Sequence, residues 1–201
     1  VSEEKESRIL ESLLTSVRPE ELMAGKLVGL GSVGLLVVTV WAGAGLAAAA
    51  PLFSQLEIAV PPGLLALAVA YFLLGYLFYG GLMIGIGGVT NNMREAQQFS
   101  VWFTFANFAP MIALWAILSR PDGPLATGLS LFPPTAASTM MLRLTAQNSD
   151  VPAWQIALSL ALLGGAAWLA LGAAARLFRI GMLLYGKTPN LPEIVRWMRT
   201  G

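Results

Sequence analysis

No cysteine and no histidine occur among the 201 residues. Their absence excludes disulfides, thiolate nucleophiles, imidazole bases, Cys/His zinc sites and haem ligation through histidine. Charge is scarce too: Asp, Glu, Lys and Arg make up 11% of the chain, against about 25% in an ordinary soluble domain. With 12 basic and 11 acidic residues the net charge is +1, which is no footprint for nucleic acid. Apolar residues make up 56% of the sequence, and the mean hydropathy is +0.70. Such a surface cannot be kept wet. A cytosolic enzyme and a disordered chain are both excluded, leaving an integral membrane protein.

The few charges are clustered. None falls within residues 27–56, 58–93, 96–119 or 151–175. A helix needs about 20 residues to cross a hydrocarbon core of ~30 Å, and within lipid its backbone groups must pair internally. The gaps therefore predict an all-α, polytopic protein with four transmembrane helices at about 26–49, 64–88, 100–118 and 153–175. Pro61 and Pro62 set the start of the second, where a missing N–H costs nothing. Four spans put both ends of the chain on one side. That side and the 89–99 loop carry ten of the twelve basic residues, while the opposite loops carry only Arg120 and Arg143. The positive-inside rule then predicts a multi-pass plasma (inner) membrane protein with both termini cytoplasmic. Residues 1–24 read as a cytoplasmic elbow, 25–175 as the transmembrane domain and 176–201 as a cytoplasmic tail. Beginning at Val1 with charged, helix-forming residues and no secretory leader, the chain reads as a fragment or processed piece lacking upstream spans.

The segment SEEKESRILESLLTSV is amphipathic at helical spacing, with Ile9, Leu13 and Val17 in one row and Leu10 and Leu14 in the next. Glu3, Glu4, Lys5, Glu6, Arg8 and Glu11 take the other face. Arg18-Pro19 breaks it, and Pro19, Glu20 and Glu21 start a second helix that runs into the first span. An interfacial helix would favour basic residues on its polar face. Glutamates fit a protein partner better, with the apolar row available to a groove. Gly25/Gly29 and Gly81/Gly85 form G-x-x-x-G pairs, which let helix backbones approach in lipid. The spans hold no deep ionisable group, so an ion relay of buried acids is absent. Thr39, Tyr71, Tyr76, Tyr79, Thr104, Asn107 and Ser159 are the polar candidates within them. Asn107, near Pro110, suits either an interhelical hydrogen bond or a place on a pathway. Beyond the third span, Arg120-Pro-Asp-Gly-Pro reads as a turn. Pro133-Pro134 opens a short external helix that packs on the span tops or dips into the outer leaflet, and Arg143 and Asp122 read as surface charges.

These residues resemble a known family. SEEKESRILESLLTSVRPEELMAGKLVG is similar to the segment preceding a membrane span in permease subunits of type-2 ABC exporters, in the sodium-efflux permease branch, and the likeness is to the C-terminal portion of such a subunit. NNMREAQQFS, LSRPDGPLATGLSLFPPTA and RLFRIGMLLYGKTPNLPEIVRWMR extend the likeness along nearly the whole chain. The resemblance implies that Glu3, Glu4, Lys5, Glu6, Arg8, Glu11, Leu13 and Leu14 lie in a coupling helix touching an ATP-hydrolysing subunit. Pro19 and Glu20 would mark the bend, and Arg94, Glu95 and Gln97 would lie on the second cytoplasmic loop. It implies an ATP-driven exporter of an ion or a small hydrophobic substrate. The expected partners are an ABC ATPase subunit, a second permease half (as homo- or heterodimer) and the bilayer. The chain has no P-loop, so it is expected to be no enzyme and to hold no cofactor or metal, with ATP and Mg bound by the partner. Two other functions compete: a non-catalytic membrane scaffold or assembly protein, and an intramembrane protease suggested by the E-E-x-x-x-R match at Glu3–Arg8. The protease would need histidines, which the chain lacks.

Overall fold

A computed structural model of the chain describes residues 16–55, 61–90, 92–146 and 150–183. Seven helices form among them: α1 (Pro19–Gln55), α2 (Pro62–Val89), α3 (Met93–Ile112), α4 (Leu114–Ser119), α5 (Pro124–Leu131), α6 (Pro133–Thr145) and α7 (Ala153–Leu183). There is no strand among the described residues. Three stretches are long and apolar enough to cross a membrane: Glu21–Gly45, Pro62–Val89 and Ala153–Leu177.

Proline opens α1, α2, α5 and α6, at the one helical position where its missing N–H and fixed φ do no harm. At the start of α1 the Glu21 carboxylate accepts from the Arg18 N–H at 3.0 Å, the reach-back half of a capping box. The expected loop at 89–99 is much shorter in the structure. Thr90 ends α2 with its N–H and hydroxyl both on Ile86 O, and Asn92 Oδ1 caps α3 by accepting from the Glu95 N–H at 2.9 Å. Arg94, Glu95 and Gln97 therefore stand on the first turns of a helix, not on a loop. The third expected span, 100–118, is also redrawn. Its helix begins at Met93 and is interrupted at Ala113 (φ −86°, ψ 5°) before α4 resumes. Pro110 supplies the weakness, since it can give no N–H to the preceding turn.

Direction along the bundle is fixed by its contacts. On α2 and α7, Tyr71 meets Ile156, Gly81 meets Ala170 and Gly85 meets Ala174, so these two helices run parallel. α1 runs antiparallel to α2: Leu27 lies beside Gly80 and Tyr76, and Leu35 beside Phe72 and Leu73. The first residues of α1 and the last of α7 thus share one end, called here the terminal end. A chain joining two parallel helices must travel back along the bundle. α3 and α4 make that return, from Ser100 beside Met83 to Pro121 beside the head of α7. Their combined stretch, residues 93–119, is about 40 Å long at 1.5 Å per residue.

At the opposite end, the head end, Gly123 N–H closes a turn on Arg120 O at 3.0 Å. Two short helices follow where one was expected. α5 and α6 form a hairpin that enters the bundle and comes back. Its tip lies deep: Tyr79 donates to Pro134 O at 2.5 Å, and Gly75 faces Ala137. Tyr79 is eight residues beyond the Tyr71–Ile156 level, or about 12 Å along α2. The hairpin is re-entrant. Its non-helical tip is tolerable at that depth because its backbone groups are paired: Phe132 N–H on Gly128 O, Thr135 N–H on Phe132 O, the Thr135 hydroxyl on Leu129 O and Tyr79 on Pro134 O. The buried core, Tyr71, Phe78, Ala136, Met140, Leu163, Ala167 and Ala170, is where α6 wedges against α2 and α7.

Candidate functional site

Two features of the head half stand out: a buried arginine and a trough beside it. Arg143, in the last turn of α6, is completely buried. The expectation of a surface charge is corrected here. Its Nε donates to Pro121 O at 2.6 Å, Nη1 to Ser130 Oγ at 2.7 Å, and Nη2 to Gln155 Oε1 at 2.8 Å. The Asp122 carboxylate, about half exposed, stands 3.4 Å from Nη2. Its other oxygen accepts from the Asp150 N–H at 3.4 Å, while Ser159 donates to Ser130 O at 2.6 Å. A buried cation persists only where such partners replace its water. One guanidinium thereby ties the turn before α5, α5 itself, α6 and the head of α7 into a single unit. Its fork of donors suits several acceptors in fixed directions. The partners are scattered from Pro121 to Gln155, and no local spacing announces them. The one available signal was the ladder Thr135, Thr139, Arg143, which shares a helix face at intervals of four; all three are buried.

Asn107 faces two clefts. One, of about 330 Å³, lies between α3 and α6 and includes Phe108, Met111, Ser138 and Met141. The other, of about 310 Å³, lies among α2, α3 and α6 and includes Tyr71, Tyr76, Tyr79 and Ser138. Both are lined by Asn107 and Ser138, so the two clefts adjoin there; the pair, called here the trough, reaches from Thr145 near the head end to Pro133 and Pro134 at the hairpin tip. The interhelical bond that Asn107's position offers is not made: among the described residues its amide has no hydrogen-bond partner. The tyrosines are committed. Tyr71 donates to Ile156 O (3.3 Å), Tyr76 to Leu27 O (2.6 Å) and Tyr79 to Pro134 O (2.5 Å). Thr39 and Thr104 bond back to their own helices.

The two glycine pairs separate. A Cβ at Gly81 would stand 3.1 Å from backbone atoms of Ala170 and Leu171, and one at Gly85 3.5 Å from Ala174 Cα. Around Gly25 and Gly29 nothing lies within 4 Å of that position. Of the elbow residues, Glu3, Glu4, Lys5, Glu6, Arg8, Glu11, Leu13 and Leu14 lie outside the described residues, while Pro19 and Glu20 fall in the first turn of α1. They share the terminal end with the first turns of α3, where Arg94 and Glu95 stand.

A deep polar knot, a re-entrant hairpin and long apolar helices describe a membrane machine without naming it. The family comparison decides: the profile of the ABC-2 family transporter proteins matches residues 1–176. The chain belongs to this family. As an ABC-2 transporter protein it is a multi-pass membrane protein of permease type. Among its relatives are the uncharacterized protein MJ1024 of Methanocaldococcus jannaschii, 31% identical over 98% of this chain, and the uncharacterized protein YhaP of Bacillus subtilis, 30% identical over 99%. The chain spans about half the length of these curated relatives, 47% and 49%. No solved structure matches it.

Proposed function

We propose that this ABC-2 protein is the membrane-spanning part of an ATP-driven exporter, driven by a separate ATPase subunit that binds ATP and Mg. The observation that carries the reading is the family match over residues 1–176. The spans agree with it: lacking deep acids, they offer no ion gradient a way to drive transport, so the energy comes from a partner. In this reading α3 and α4 together make a fourth crossing. The parallel run of α2 and α7 supports it, and the distribution of basic residues supports a cytoplasmic terminal end.

The mechanism follows from how unevenly the helices are joined. α2, α5, α6 and α7 are held by small-residue contact and by the Arg143 knot. α1 touches them only lightly, along α7 and, through Leu27 and Gly31, at Tyr76 and Gly80 of α2, and no residue of its span is buried. Closure of the ATPase on the elbow and on the first turns of α3 would push α1 and α3 against the knotted body. The trough between α3 and α6 then changes shape. A dimer with a second permease half belongs to the same reading; the sodium-efflux role that the resemblance implies does not, because the spans gather no acidic ion site.

The test is co-purification of the full-length protein with its ATPase, using Glu4→Arg/Glu11→Arg. Reversing two charges on the elbow is expected to abolish capture and ATP-driven efflux together. If the double variant binds and exports like the parent, the elbow is not where force enters.

A further inference from the structure

The trough indicates what kind of molecule is carried, an inference that rests on the exporter reading. Three observations bear on it. No ionisable side chain other than the tyrosines lines either cleft. A cation such as sodium would need a shell of several oxygen ligands with negative character, and none is gathered there. An anion would need a cation, yet none lines the clefts, and Arg143, on the same helix as Ser138 and Met141, is sealed with every guanidinium nitrogen paired within its knot. Charged cargo of either sign thus finds no counter-charge in the trough.

Positive evidence comes from the junction of the clefts. The walls are Phe108, Met111, Met141 and tyrosine rings, an apolar and polarisable lining. Where the clefts meet, Asn107 is exposed, and its amide has two donors and an acceptor with no partner among the described residues. Beside it, Ser138 donates only a long 3.2 Å bond to Thr135 O. A few polar groups set in an apolar cleft of several hundred Å³ are what fixes the orientation of a small ligand. We propose that the trough binds a neutral amphipathic molecule, its apolar body along α6 and one hydrogen-bonding group held by Asn107.

The probe is 4-(hydroxymethyl)benzophenone, neutral and apolar, with one hydroxyl and one carbonyl, whose photoexcited ketone inserts into neighbouring C–H bonds. The full-length protein in nanodiscs is irradiated and the adducts are mapped by peptide mass spectrometry. Adducts should concentrate at Met111 and Met141 and be unchanged when sodium replaces potassium. They should fall about fivefold in Asn107→Leu, the loss of roughly one hydrogen bond. Ser138→Trp, which fills the trough and leaves residue 107 as Asn, should abolish them, and thermal unfolding reports whether either variant has merely lost its fold. The proposal is overturned if adducts spread evenly over lipid-facing residues such as Val33 and Trp41. It is equally overturned if Asn107→Leu folds and labels like the parent, or if another segment of the full-length polypeptide fills the trough and blocks labelling. Labelling that stays in the trough while the ATPase and ATP drive no efflux keeps the site and refutes the exporter reading instead.

Discussion

Arg143 carries its charge at zero exposure, and the cost of removing it follows from its acceptors. Arg143→Ala leaves Ser130, Gln155 and Pro121 O facing a cavity, and breaking such a buried cluster costs about 3–5 kcal/mol. The expected result is a marked fall in the thermal midpoint in detergent, with loss of the purified monodisperse species at 37 °C as the severe form. Asp122→Asn should be far milder, under about 1 kcal/mol, because the carboxylate is half in solvent and 3.4 Å away. Equal losses from the two would mean that the ion pair, not the neutral acceptors, holds the knot. Thr139, one turn earlier, gives the opposite sign. Its hydroxyl is buried without a partner, so Thr139→Val should stabilise by about 1 kcal/mol, read in the same melt. At this scale the sequence was a poor guide. Arg143 sits in a segment that reads as a short external helix, and whether a lone arginine there is solvated or enclosed depends on Pro121, Ser130 and Gln155, which only the folded hairpin brings to it.

Helices were more legible, because their signals are local. Proline at N1 and the long uncharged runs placed the starts of α1, α2 and α7 within about two residues, while α1 and α7 run on past the expected ends at 49 and 175 to Gln55 and Leu183. The third span was misjudged because charge gaps show where lipid is permitted, not where a helix starts. Asn92 and Glu95 draw the start back to Met93, and Pro110 weakens the far end. α5 escaped notice altogether, being only eight residues long in a stretch that reads as turn and linker. The glycines show why a motif alone does not specify a contact. Gly81 is pressed against α7 and Gly25 is open, yet both begin G-x-x-x-G. Gly81→Ala should therefore cost about 1–3 kcal/mol by forcing α7 to shift. Gly25→Ala should add about 0.5–1 kcal/mol of helix stability. Denaturation of the isolated chain checks both. A destabilising Gly25→Ala would instead mark that face as a seat for another helix.

For the whole molecule, the open question is how many times the chain crosses, and the structure turns it into a question of parity. Three apolar stretches alone would leave the two ends of the chain on opposite sides. α2 and α7 lie parallel, however, so the intervening chain must regain the head end. α3 with α4 is about as long as α2 and has the reach to do so. The objection is polarity, since α3 opens with Arg94 and Glu95. Those residues lie at the terminal end, where a basic residue belongs if that end is cytoplasmic, and the apolar part begins a turn later. The chain has no cysteine, so single-cysteine labelling is clean. Met93→Cys reports the terminal end; Leu125→Cys and Phe132→Cys report the hairpin. All three positions are exposed. With a membrane-impermeant maleimide on intact cells, Leu125→Cys should react and Met93→Cys should not until the cells are opened. Phe132→Cys, at the hairpin tip, should react more slowly than Leu125→Cys because it lies deeper. Reaction of Met93→Cys and Leu125→Cys from the same side would mean that α3 and α4 return without crossing, and the two chain ends would then lie across the membrane from each other.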